Sequence, residues 1–128
     1  MIVSFSNKYR YFIYRQPCDM RKGIDGLSGM VQSMFSMNSI NGDVFIFFNR
    51  PKNRVKILHW QGDGFIIYHK RLEKGTFELP KNNSIEITAH ELQFILDGIT
   101  LSSIKKRIRY EHANVSNFIG ESGVSARV

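Results

Sequence analysis

Apolar positions change period along this chain, and each change marks an element. Tyr9 to Arg15 (YRYFIYR) alternates and is rich in aromatic residues, which predicts a strand ended by Pro17. From Met20 to about Met37 the spacing becomes helical: Ile24, Leu27, Val31, Met34 and Phe35 share one face, and Asp19 is placed to cap the start. Gly23, Gly26 and Gly29 line an adjacent face. Glycine weakens a helix by roughly 1 kcal/mol relative to alanine, so three of them imply a close approach on that side, by a packed strand or by a nucleic-acid backbone.

Asp43 to Leu79 reads as an antiparallel meander. Val44–Phe48 is wholly apolar, NRPKNR (49–54) is a proline-containing turn, Val55–Trp60 is a strand, and QGDG (61–64) is a tight turn. Phe65–Lys70 is the next strand, RLEKG (71–75) the next turn, and Ser84–Ile87 a short further strand. Thr88 and Glu91 have the spacing of a capping box, which opens a helix running to about Asp97 with Gly98 as its stop. Lys105–Tyr110 (KKRIRY) fits strand or helix, and 102–128 reads as a basic, partly flexible segment. The expectation is one α+β domain over 1–128, with an antiparallel meander sheet and two packed helices. Because Val44–Phe48 is apolar on both faces, neither side of the sheet there should meet water. One face is expected to hold the helices, the other the C-terminal segment or a second molecule, which makes self-association a candidate.

Composition narrows the function classes. The 128 residues suffice for one ordinary core, and 42% hydrophobic content excludes a disordered composition. No apolar run approaches the ~18 residues of a membrane span, and no secretory leader is expected from MIVSFSNKYRYFIY. One cysteine permits no internal disulfide and suits a cytoplasmic protein.

Eighteen Lys and Arg against eleven Asp and Glu give a net charge of +7, which favours polyanionic partners, chiefly nucleic acid. The excess comes in blocks. Residues 50–81 carry eight cations and three acids, whereas 23–49 and 82–104 together hold five acids and no cation. Alternate turns of a meander fall at the same end of a sheet. The turns 49–54 and 71–75 should therefore lie together, about 10 Å apart across two strand spacings. Arg50, Lys52, Arg54, Lys70, Arg71 and Lys74 would then form one phosphate-binding patch. Arg21 and Lys22, expected in the first turn of the first helix, are disfavoured there by the helix dipole and point to a partner that supplies negative charge.

Catalytic chemistry finds little support. Cys18 lacks a patterned base, and the four histidines show no metal-ligand spacing with it. No Gly-rich loop followed by Lys-Ser or Lys-Thr is present. We expect no catalytic residue, no metal and no cofactor.

Three stretches carry a family resemblance: RQPCDMRKGIDGL, FIFFNRPKNRVKILHWQGDGFIIYHKRLEKGTFELP and ITAHELQFILDGI. Together they resemble the small accessory protein, the TnpB-type product, of the insertion-sequence-sixty-six class of bacterial transposons, from about Tyr14 to Ile99. The signature cations match at Arg21, Lys22, Arg50, Arg54, Lys70, Arg71 and Lys74. Cys18 stands where the family usually has a small apolar residue, and Thr100-Leu101 replaces an aspartate-tryptophan pair. The resemblance implies action in DNA transposition beside a separate, larger transposase, and supplies no catalytic residues. The expected partners are DNA at the transposon ends and the cognate transposase. The alternative expectation is an adaptor that docks the transposase without touching DNA.

Overall fold

The computed structural model describes residues 5–98. The expected basic segment over 102–128, KKRIRY included, lies outside the described residues. In chain order the elements are β1 (Tyr11–Tyr14), α1 (Ile24–Met34), β2 (Val44–Phe48), β3 (Arg54–Trp60), β4 (Phe65–Arg71), β5 (Glu86–Ile87) and α2 (Ala89–Asp97). The five strands form one sheet in the order β4-β3-β2-β1-β5.

The meander is β2-β3-β4, antiparallel throughout, with Val44 opposite His59 and Trp60 opposite Phe65. β5 also runs antiparallel to β1. β1 departs from the antiparallel expectation and pairs parallel to β2, Tyr11 opposite Val44. Parallel neighbours need a crossover, and α1, lying between them in sequence, provides it.

The two helices lie on opposite faces of the sheet. Strand side chains alternate between faces. Phe45 and Phe47 therefore join Phe12, Leu58 and the α1 residues Leu27 and Val31 in one apolar layer. Val44, Ile46 and Phe48 join Ile13, Val55, Ile57 and the α2 residues Leu92, Ile95 and Leu96 in the other. Every residue of β2 is buried, and each such aromatic or aliphatic side chain contributes roughly 1.5–3 kcal/mol. One helix per face replaces the expectation that both helices share a face. Because the chain covers both sides of β2 itself, that strand supplies no argument for a second molecule.

α2 starts and stops where its sequence predicts. Thr88 Oγ1 accepts from the Glu91 amide, Glu91 Oε1 accepts from the Thr88 amide, and Gly98 adopts the left-handed conformation at φ 79°. α1 is shorter than expected. Asp19 does not cap it, because both carboxylate oxygens take Arg21 Nε and Nη2 while Oδ1 also accepts the Arg21 amide. The chain turns there, with the Lys22 amide donating to Asp19 O, and extended Gly23 precedes the first helical residue. Left-handed Ser36 (φ 54°) follows the other end. Of the expected apolar face, Leu27 and Val31 are buried, whereas Ile24 and Met34 are 40% and 59% exposed.

The glycines of α1 approach no strand. A methyl group added at Gly23 or Gly29 would meet nothing within 4 Å; at Gly26 it would lie 3.2 Å from Lys22 Cβ. The Lys22 stem, not a strand, occupies the space beside Gly26.

Candidate nucleic-acid interface

The turn between β2 and β3 is organised by Asn49. Its Oδ1 accepts from the amides of Asn53 and Arg54, and its Nδ2 donates to Asn53 Oδ1. Lys52 takes the left-handed conformation (φ 59°), its amide bonded to Asn49 O and its carbonyl to the Phe77 amide. The Leu72 amide donates to Asn53 O. These bonds join the segment after β4 to the turn before β3, so the two basic turns adjoin as expected.

Ladder register then decides which cations share a surface. Arg54 is the direct partner of Arg71, and Lys56 of His69. All four side chains leave the α1 face, in phase with Leu58 and Ile67 of the α1 layer. Directly opposed Cβ atoms lie about 5 Å apart and residues two along a strand about 7 Å, so four basic groups form a compact quadrilateral. Arg71 is paired with Glu73 at 2.9 Å, both 57% exposed. Arg54 and Lys56 have no carboxylate partner among the described residues.

Lys22 extends this surface toward α1. Its carbonyl accepts from Lys56 Nζ at 2.8 Å, which ties β3 to the segment entering the helix. An ammonium has three donors, so Lys56 keeps two beyond this bond. Arg21, also exposed, is held by Asp19, and its guanidinium keeps that carboxyl well below the usual range. Neither Arg21 nor Lys22 lies within α1, so the unfavourable dipole placement expected for them does not arise. Arg50 and Lys74 are exposed on the two turns.

Lys70 belongs elsewhere. It alternates to the α2 face, where Nζ donates to Leu96 O at 3.3 Å near the C-terminal end of α2. A cation there complements the helix dipole. Turn position groups Lys70 with Arg71 at one end of the sheet, and the period of two sends it to the other face. The same period supplies two residues that turn position misses, Lys56 and His69. The QGDG turn sets Trp60 against Phe65, and steps of two away from the turn reach Lys56 on one strand and His69 on the other.

His69 is exposed and its ring makes no hydrogen bond among the described residues. Partial burial, then Lys56, Arg54 and Arg71, push its pKa below the ordinary value. The Cys18 thiol, by contrast, is 6% exposed and packs in the α1 layer, 3.7 Å from Met30 Sδ. Burial raises its pKa, with Asp19 adding and Lys22 and Lys56 opposing, so it lacks the depressed pKa of a nucleophile. Among the described residues no three His, Cys, Asp or Glu side chains converge as a metal site. No helix among them is long and apolar enough to cross a membrane.

Comparison with known proteins agrees with the sequence resemblance. A family model described as "IS66 Orf2 like protein" matches residues 9–106. The uncharacterized protein y4jC of Sinorhizobium fredii (strain NBRC 101917 / NGR234) is 29% identical over 108 residues, covering 83% of this chain and 92% of the relative. The uncharacterized protein y4hO of the same strain is 32% identical over 92 residues, covering 70% of this chain and 80% of the relative. No solved structure matches significantly.

Proposed function

This chain belongs to the family of IS66 Orf2-like proteins, and we propose that it is a non-enzymatic accessory protein of transposition that binds DNA beside its transposase. The observation that carries the DNA-binding reading is the cross-strand quartet of Arg54, Lys56, His69 and Arg71 on one face. A sheet ordinarily sets opposite charges across a ladder, because like charges directly opposed are destabilising. The like-charged Arg54–Arg71 pair, with Lys56 and His69 beside it on the same face, is accounted for by an external polyanion. Lys22, Arg50 and Lys74 widen the footprint at its edges. None of these groups reads a base by its placement alone, so the contacts are to phosphates and position the protein without specifying sequence.

The test is binding of the full chain to duplex DNA across a salt series. Each phosphate neutralised adds about 0.9 to the steepness of log affinity against log salt, so four to five contacts give a slope of about −4 to −5. Absence of binding at low salt overturns the reading. The chain would then be an adaptor that docks the transposase without touching DNA.

A further inference from the structure

We propose that His69 is a proton-linked phosphate contact, so that the protein binds DNA more tightly as the pH falls from about 8 to about 5.5. The inference rests on the DNA-binding reading above and adds a residue and a control to it.

The placement of His69 is the argument. It stands directly across the ladder from Lys56, diagonal to Arg54, and two residues before Arg71 on its own strand. A phosphate held by those three cations comes within reach of the imidazole. The ring is exposed and makes no hydrogen bond among the described residues, so it is available to such a phosphate. Of the four basic groups it is the one whose charge changes near neutral pH.

The surrounding charges fix the direction. Lys56 and Arg54 face His69 from β3. Arg71, paired with Glu73, shares its strand. On the α1 side lie Lys22, the Asp19–Arg21 ion pair, the exposed Asp25 of the first helical turn and the buried Cys18 thiol. The charges acting on His69 are those of Lys56, Arg54 and Arg71, all positive. In the free protein partial burial and then these charges lower its pKa and favour the neutral ring. A bound phosphate reverses the local field and favours the imidazolium. Binding then takes up a proton, and affinity must rise as protons become more available.

The experiment measures affinity for a short labelled duplex of arbitrary sequence at fixed low salt and varied pH, with the full chain, His69→Gln and His90→Gln. His90, on α2, is the control. The expected result is at least ~3-fold tighter binding at the acid end, bounded by tenfold per pH unit for one proton. His69→Gln should flatten that dependence while still binding near pH 8; His90→Gln should keep it. An NMR titration of the His69 ring should show its midpoint rising when the duplex is added, whether or not the variant folds well. Binding that is pH-independent, or equally pH-dependent in folded His69→Gln, overturns this inference and leaves the DNA-binding reading intact. Absence of binding at every pH overturns both.

Discussion

Arg54 and Arg71 are direct partners on the β3–β4 ladder, two guanidinium groups where a sheet favours opposite charges. Glu73 relieves Arg71, and Arg54 has no such partner among the described residues. Local repulsion of this kind costs a few tenths to about 1 kcal/mol. A binding surface retains it when the partner that neutralises it is external.

Sidedness gives a sharp contrast. Lys56 and Lys70 are both β-strand lysines near the same end of the sheet, but they leave opposite faces. We predict that Lys56→Ala weakens DNA binding and lowers the salt slope by about 1. Lys70→Ala should leave binding and slope unchanged, because its ammonium serves the α2 carboxyl end. Parallel salt titrations of the two variants check this; equal effects would mean the sheet face does not define the surface.

Much of this arrangement is legible in the sequence, and the failures share a cause. The capping box of Thr88 and Glu91, the Gly98 stop and the QGDG turn are local signals, complete within a few residues, and all appear as read. The parallel β1–β2 pairing depends on how the chain returns after α1, which no local pattern encodes. Asp19 has the composition of a cap, but Arg21 competes for its carboxylate two residues on. At the candidate site, strand count alone places the two basic turns at one end of the sheet. Turn position does not resolve which face each cation takes, since that depends on the alternation that sends Lys70 one way and His69 and Arg71 the other.

The Cys18 thiol is buried among α1-layer side chains, and its raised pKa keeps it protonated at neutral pH. We predict that native protein reacts with Ellman's reagent far more slowly than protein unfolded in urea. Cys18→Ala should retain DNA binding at a stability cost of about 1 kcal/mol, typical of a small buried truncation. Fast labelling of the native thiol, or loss of binding by a folded Cys18→Ala, would contradict the structural role.

Stability should fall with acid through His59. This ring is 8% exposed, lies 3.2 Å from Gly42 O through Nε2, and has its pKa lowered by burial, partly offset by Gly42 and Asp43. The unfolded chain therefore binds a proton that the folded chain resists. The stability from neutral His59 is fully present above the unfolded value near 6.5 and is lost as pH falls through the lower folded value. Free His69 acts in the same direction. Urea midpoints should drop between about pH 7.5 and about pH 5.5, and His59→Gln should reduce that drop.

In the proposed complex Arg54 and Arg71 together hold phosphate, and the salt slope of Arg54→Ala/Arg71→Ala is the decisive measurement. Both side chains reach solvent, and their removal relieves a like-charge pair. Urea unfolding should therefore show stability unchanged to within about 0.5 kcal/mol or slightly raised. Affinity should fall by a similar factor for every DNA sequence, and the slope of log affinity against log salt should flatten by about 2. A folded double variant that keeps the parent's affinity and slope would contradict the account and leave the basic quartet a solvated surface.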